Sequence, residues 1–287
     1  MLSRRVLLAG SAAASLSPAA VLTARADPER AASAWSEASH SAVRLIAGGS
    51  ADEGWAAGVE FKLANGFKTY WRDPGDAGTP PVFDWTGSEN CKAIRVIWPA
   101  PERFEDGSSS SIGYHDPLIL PVVVTPADAT APIRLRLAMS YAICATMCIP
   151  AQGQAVLGLA GPRQTEHAGR IAEAASKAPV KTALGTAAPS GLAISAATIL
   201  AGAKPALATE IVAPDPAAAI DLFVEGPRGS FFSKPALKER SSGGVARLIS
   251  PIEEKPAGLS AWPLRLTLVA GGRSIEVDTT VNASALL

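Results

Sequence analysis

Cysteine and histidine are scarce in this chain, which has three of each among its 287 residues. Neither sign of charge is in excess, because 26 Lys and Arg balance 26 Asp and Glu. The balance gives no support to nucleic acid or an anionic membrane surface as a partner. The sequence also lacks a P-loop, an H-E-x-x-H motif, a G-x-S-x-G motif and a dinucleotide fingerprint, so nucleotide and hydrolytic chemistry are unsupported.

Long apolar runs are missing except near the N-terminus. There Arg4 and Arg5 precede a short apolar stretch at 6–21, and an Ala24-Arg25-Ala26 cleavage pattern follows. Residues 1–26 therefore predict a bacterial export signal, whose arginine pair also resembles a twin-arginine signal. The stretch is shorter than the roughly 20 residues of a spanning helix. We expect a mature chain without a membrane span, located in the periplasm, where disulfides persist.

Short segments that are apolar or alternate between apolar and polar residues dominate the first half of the chain. Clusters rich in glycine, proline, aspartate and serine separate them. This pattern is typical of an all-β protein built as an antiparallel sandwich. The predicted strands are 43–47, 57–63, 93–98, 118–124 and 133–138.

The pattern changes at Gly161-Pro162. Residues 165–177 predict a helix with Glu166–Arg170 and Glu173–Lys177 pairs one turn apart, ended by Pro179. Its apolar face is mostly alanine with one isoleucine, Ile171, so weak packing and a linker role are expected.

A second β region follows, with predicted strands at 207–212, 220–224, 245–249, 264–269 and 275–281. It contains no cysteine and no histidine, which favours the first region as the place of any chemistry. We predict a signal peptide at 1–26, a first β domain at 27–162, a linker helix at 163–184 and a second, smaller β-sandwich-like domain at 185–287.

Cys144 and Cys148 form the most informative pattern in the chain. In an extended strand their Cα atoms would lie about 13 Å apart, whereas a disulfide needs about 7 Å or less. The pair can therefore bridge only if residues 145–147 turn back. A disulfide that closes so small a loop stabilises a fold only modestly, which favours a redox pair over a structural staple. With no Lys or Arg between Arg136 and Arg163, the pair suits a recipient of electrons.

Several ordered motifs resemble one family. They begin with G-F-K-T-Y-W-R-D-P-G at 66–75 and end with C-x-x-x-C-I-P at 144–150. Across about 41–159, and more loosely in the second β region, the chain resembles the N-terminal periplasmic domain of the thiol:disulfide interchange protein DsbD, in the branch typified by ScsB. The motifs that carry the resemblance lie at 66–81, 83–85, 98–104, 112–115 and 144–150.

The resemblance implies an immunoglobulin-like sandwich in which Cys144 and Cys148 relay electrons without a cofactor. The implied partners are a thioredoxin-like or membrane-embedded thiol oxidoreductase and oxidised periplasmic proteins. Residues 104–114 match the family's cap loop, with Phe104, Tyr114 and His115 as cap or partner-docking residues. Well-known members carry aromatic residues in this loop, whereas this chain has Gly107 and four serines, so Phe104 or Tyr114 is expected to supply the cover.

Two alternatives to electron relay remain open. One is a redox-inert binding or adaptor module with a structural Cys144–Cys148 disulfide. The other is copper handling, because Cys144, Met147 and Cys148, together with Met139 and His115, are ligand types that select Cu(I).

The remaining candidate residues have ordinary structural explanations. We expect Cys91 to be a buried small hydrophobe, and His40 and His167 to be solvated. We assign the aromatic residues Phe67, Tyr70, Trp71, Phe83 and Trp85 to core packing.

Overall fold

The computed structural model describes residues 31–51, 54–76, 78–106, 109–115, 117–160 and 165–286. The predicted signal at 1–26 and the break at Gly161-Pro162 lie outside the described residues. Strands dominate the part that is described, which confirms the predicted all-β class. No helix within these ranges is long and apolar enough to cross a membrane.

The first unit is a sandwich of two mainly antiparallel sheets. One sheet has the order β1-β2-β3-β9-β6, and the other has the order β11-β10-β4-β8-β7, with β5 paired to β10. The strand bounds are β1 Ser36–Ala38, β2 Ser41–Ala51, β3 Gly54–Leu63, β4 Lys68–Gly75, β5 Val82–Asp84, β6 Cys91–Val96, β7 Glu102–Asp106, β8 Ser109–His115, β9 Leu118–Pro126, β10 Ile133–Cys144 and β11 Cys148–Leu159.

Alternation along the strands builds the core between these two sheets. In β10, Ile133, Leu135 and Leu137 are buried, while Arg134 and Arg136 point away from the core. Successive side chains of a strand point to opposite faces, so one apolar face from each sheet forms a shared core. We call the face of the second sheet that points away from this core its outer face.

The helix α1 spans Ala168–Ser176 and packs on the other side of the first sheet. Its Ile171 is buried against a groove at Gly48 and Gly58, where an added Cβ would lie 3.2 and 3.4 Å from the Ile171 side chain. The expectation of weak packing is therefore wrong, because two glycines on the sheet make room for the helix. The predicted Glu173–Lys177 pair is present at 3.0 Å.

The expectation that His167 is solvated is wrong, and Arg170 pairs outside the helix. Arg170 bonds to Glu60 on β3, so the helix is tied to the sandwich by an ion pair that joins distant segments. His167 is buried beside the helix N-terminus, and not solvated. The chain then continues as a strand, β12 Val180–Thr182, within the range expected for the linker helix.

The second unit contains two further sheets with a core of their own around the fully buried Trp262. One sheet has the order β12-β20-β19-β15, in which β12 runs parallel to β20. The other has the order β13-β14-β18-β16, with β17 paired to β18. The bounds are β13 Ala193–Leu200, β14 Ala206–Val212, β15 Ile220–Glu225, β16 Phe231–Phe232, β17 Ala236–Arg240, β18 Val245–Glu254, β19 Ala261–Ala270 and β20 Arg273–Asn282, followed by a short 3-10 helix at Ser284–Leu286.

The two units share one packing contact that bears on the site. Phe223 of β15 belongs to the core cluster of the first unit. Its ring meets Trp71 of β4 edge-on, with the centroids 5.8 Å apart. Since β4 also borders the cysteine pair, the second unit touches a strand that builds the candidate site.

Candidate functional site

The strands β10 and β11 form one long antiparallel hairpin that ends in the two cysteines. Their register runs from Ile133 opposite Leu159 to Cys144 opposite Cys148. Residues 145–147 form the turn, so the reversal that the spacing requires is a hairpin turn. Directly opposed residues have Cα atoms about 4.5–5.5 Å apart, which a disulfide can span. Both cysteines are free thiols, and their sulfurs lie 3.0 Å apart.

Alternation along β10 places the pair on the outer face. Tyr141 and Ile143 point into the core, so Ala142 and Cys144 point away from it. Cys148 shares this face because it lies opposite Cys144. The two thiols differ in exposure: Cys144 is only 8% exposed, whereas Cys148 is exposed.

A row of residues extends from the pair across the sheet. Cys144 lies opposite Lys68 at the start of β4, and Lys68 lies opposite His115 at the end of β8. Lys68 is buried, although its side chain is charged. Four strands thus contribute one residue each to a line that places a cation beside the buried thiol.

Tyr70 of β4 is the second polar neighbour of the pair. Its hydroxyl oxygen lies 2.8 Å from the Cys148 sulfur, and its ring packs with Ala142 and Cys144. Gly78, in the loop after β4, lies close to the ring. An added Cβ at Gly78 would lie 2.8 Å from Tyr70 Cδ1 and 2.3 Å from Pro74 Cβ, so only glycine fits there. Burial, and then the contact with Cys148, raise the pKa of Tyr70 well above its usual value. The phenol therefore keeps its proton at neutral pH and can donate to the sulfur.

The electrostatics of Cys144 favour its protonated form. Burial raises the pKa of this thiol, and the contact with Cys148 raises it further. Tyr70 and the charge of Lys68 act in the opposite direction but do not cancel this effect. Because Cys144 is buried and protonated at neutral pH, Cys148 is the sulfur that can meet a partner.

The comparisons with known proteins address this region directly. Residues 38–160 match the family model described as thiol:disulfide interchange protein DsbD, N-terminal. We call these residues the DsbD-type domain after this match. The resemblance seen in the sequence motifs is thereby confirmed. Residues 179–284 match a separate model, a domain of unknown function, DUF8393, and we call this part of the chain the second domain.

Solved structures extend the likeness over both domains. The N-terminal periplasmic domain of ScsB from Proteus mirabilis is 22% identical and superposes with a TM-score of 0.70, covering 88% of this chain and 98% of that one. At this identity the match shows a shared fold. A conserved domain protein from Bacillus anthracis is 8% identical with a TM-score of 0.24, covering 87% and 89% of the two chains. No curated protein sequence matches the chain.

The segment expected to act as a cap lies in a β-hairpin formed by β7 and β8, which we call the cap hairpin. The Phe104 ring lies on the outer face, 4.8 Å from Lys68 Nζ and 4.6 Å from the exposed His115 ring. The assignment of Tyr114 to the cap is wrong, since its side chain is buried on the inner face and its hydroxyl donates to Pro99 O at 2.8 Å. Gly107 and Ser108 lie outside the described residues.

Of the residues suggested for copper, Met139 and His115 lie apart from the cysteine pair, whereas Met147 lies in the turn between the two cysteines. Met139 points into the core, on the opposite side of the sheet from the cysteines. Met147 is 72% exposed in the turn. His115 lies two strands away from Cys144, about 10 Å at the usual strand spacing. Within the described ranges, no group of three or more His, Cys, Asp or Glu could hold a metal ion.

The remaining cysteine lies apart from the pair. Cys91 begins β6 in the first sheet, is only half-buried, and its thiol donates to Glu89 O at 3.3 Å. Burial raises the pKa of this thiol. The expectation of full burial is therefore met only in part.

Sequence reasoning missed Lys68 and treated Tyr70 as core. A signal was present in the sequence, because Trp71 at the centre of β4 faces the core and alternation then turns Lys68 and Tyr70 outward. The pairing of β4 with β10 had no such signal.

Proposed function

We propose that this protein exchanges disulfides with protein partners in the periplasm through Cys144 and Cys148. The observation that carries the proposal is the pair itself: two free thiols directly opposed at a hairpin end, one exposed and one buried. The description of the matched family supports the reaction class. The periplasmic ScsB domain and the export signal expected at 1–26 support the compartment.

In the reducing direction Cys148 acts first. Its thiolate attacks one sulfur of a partner disulfide, forming a mixed disulfide and releasing the other partner sulfur as a thiolate. Cys144 then loses its proton and attacks the Cys148 sulfur, which completes the Cys144–Cys148 disulfide and releases the partner dithiol. Two electrons pass to the partner, and the two protons of the thiol pair pass to solvent or to the partner thiolates.

Tyr70 and Lys68 assist the two steps of this reaction, one at each sulfur. The protonated hydroxyl of Tyr70 can donate to the Cys148 sulfur, and donors of this kind favour thiolates. Lys68 opposes the effect of burial at Cys144, which must ionise in the second step. Reversal of both steps reloads the pair, and we propose a thioredoxin-like or membrane-embedded thiol oxidoreductase as the electron source.

The test is trapping followed by a redox titration. The Cys144→Ser variant should accumulate a mixed disulfide between Cys148 and an oxidised thioredoxin-like protein, whereas Cys148→Ser and the control Cys91→Ser should not. In the wild type the pair should equilibrate with glutathione mixtures. A potential below about −300 mV, as structural disulfides have, would contradict exchange and favour the redox-inert alternative.

A further inference from the structure

The cap hairpin presents different residues on its two faces. Phe104 lies opposite Ser111 in the hairpin, on the outer face with Lys68 and His115. Arg103 and Glu105 flank Phe104 on β7, and alternation turns both to the other face. The second domain lies on that side, so one strand connects the surroundings of the cysteine pair with the second domain.

Arg103 makes the main connection. Its guanidinium donates from Nε to Asp221 Oδ2 at 2.9 Å and from Nη2 to Asp221 Oδ1 at 3.1 Å. The same Nη2 lies 3.3 Å from Leu222 O, and the group lies 5.0 Å from the centre of the Phe223 ring. The Arg103 side chain is only 8% exposed. A two-point, largely desolvated pair of this kind is among the stronger polar contacts in proteins.

Three further ion pairs, made by Lys234 and Arg72, hold the same region. Lys234 Nζ lies 2.5 Å from Glu105 Oε1, close to the tip of the cap hairpin. On β4, Arg72 donates to both carboxylate oxygens of Glu225 at 2.9 and 2.7 Å, and also to Glu276. Every one of these contacts joins the cap hairpin or β4 to the second domain.

We infer that the second domain is a clamp on the cap hairpin, with Arg103 as the positioning residue that holds Phe104 over Lys68 beside the cysteine pair. The inference rests on the proposed function only in that disulfide exchange gives a reason to restrict access to Cys144. When the clamp is closed, Cys148 is available, and Phe104 over Lys68 adds to the cover that Tyr70 and Ala142 give Cys144. When the Arg103–Asp221 pair separates, the hairpin loses its strongest anchor and Cys144 opens to larger reagents.

The clamp is tested by alkylation of Cys144 in a Cys148→Ser background, with a bulky maleimide and with peptides resolved by mass. Asp221→Ala should increase the rate about tenfold, since the loss of a charge-assisted pair changes an opening equilibrium by about that factor. Lys234→Ala, at an exposed pair, should increase it about twofold. Asp215→Ala is the matched control, because the Asp215 carboxylate accepts from Ala217 N in a turn of the second domain; it should leave the rate unchanged.

Hydrogen exchange gives a second readout that does not depend on thiol chemistry. Amides of 109–115 should lose protection in Asp221→Ala and keep it in Asp215→Ala. Lost protection of the hairpin amides with an unchanged alkylation rate of Cys144 would overturn the clamp. Equal alkylation rates in Asp221→Ala and the control variant would also overturn it, provided that near-ultraviolet circular dichroism shows both proteins to be folded. A faster Cys144 reaction in Asp221→Ala, together with a wild-type cysteine pair that fails to exchange with thioredoxin-like partners, would support the clamp and contradict the proposed function.

Discussion

At the scale of single residues, the two thiols are chemically distinct despite their symmetric places in the hairpin. Cys144 packs against Tyr70 and Ala142, while Cys148 points to solvent. The difference arises because β4 lies next to β10 and not next to β11. Neighbouring strands, and not the cysteines' own sequence, therefore decide which sulfur is buried.

Tyr70→Phe should slow the reaction of Cys148 with iodoacetamide about fivefold at pH 7.5, because one hydrogen bond to the sulfur is lost. Mass spectrometry of the Cys148 peptide measures the rate. Tyr141→Phe is the matched control, since Tyr141 is a buried tyrosine that bonds to Ser41 and faces the core. Equal rates in the two variants would remove Tyr70 from the proposed chemistry.

Lys68→Met should raise the pKa of Cys144 further, because the nearby positive charge that lowers it is removed. The absorbance of the thiolate near 240 nm, followed against pH in a Cys148→Ser background, reports this directly. Lys62→Met removes an exposed lysine from β3 and should leave the titration unchanged. A Cys144 titration that stays in place in Lys68→Met would show that Lys68 does not act on the thiol.

At the scale of elements, the strands that sequence reasoning found are those with regular alternation, such as β3 and β10. Two of the strands it missed carry turn-forming residues: β8 begins with three serines, and β11 contains Pro150 and Gly153. Pairing with neighbours holds these residues extended, and such context overrides local preference. The cysteine pair was predictable from spacing, but Lys68 was not, because it reaches the site through a pairing across 76 residues of chain (144 − 68).

We expect the stability of the folded chain to depend on pH through the buried His167. Burial lowers the pKa of His167 below its usual value of about 6.5. The unfolded chain therefore binds a proton more readily than the folded one, so stability is full above about pH 6.5 and falls as pH decreases below it. Urea unfolding at pH 7.5 and 5.5 should show this loss in the wild type and a smaller loss in His167→Gln. The exposed His40 provides the control, and a His40→Gln variant that matched His167→Gln would contradict the assignment.

At the scale of the whole molecule, the two domains share apolar as well as ionic contacts. Phe223 of the second domain completes the core of the DsbD-type domain against Trp71. The guanidinium group of Arg103 lies over the Phe223 ring. A single strand, β15, therefore both fills the core of its neighbour and holds the cap hairpin.

Phe223→Ala should lower the free energy of unfolding by about 3–5 kcal/mol, as truncation of a buried phenylalanine does. Hydrogen exchange should show the loss at amides of β4 and β8 in the DsbD-type domain. The control Leu266→Ala lies at a fully buried position in the second domain's own core. It should reduce the hydrogen-exchange protection of β19 and β20 most. Loss of protection confined to the second domain in Phe223→Ala would contradict a shared core.

The placement of Phe223 separates two boundaries that usually coincide. The family matches divide the chain between residues 160 and 179. The core of the first region nevertheless includes the ring of Phe223, which belongs to the second region. Each module is thus recognisable alone in sequence, but the core of the DsbD-type domain includes a ring from the second domain. Where evolution keeps the two modules in one chain, substitutions at Trp71 and Phe223 should occur together. Exchange of one module for a relative's should give a folded protein only when Phe223 and its contact residue Trp71 are exchanged as a matched pair.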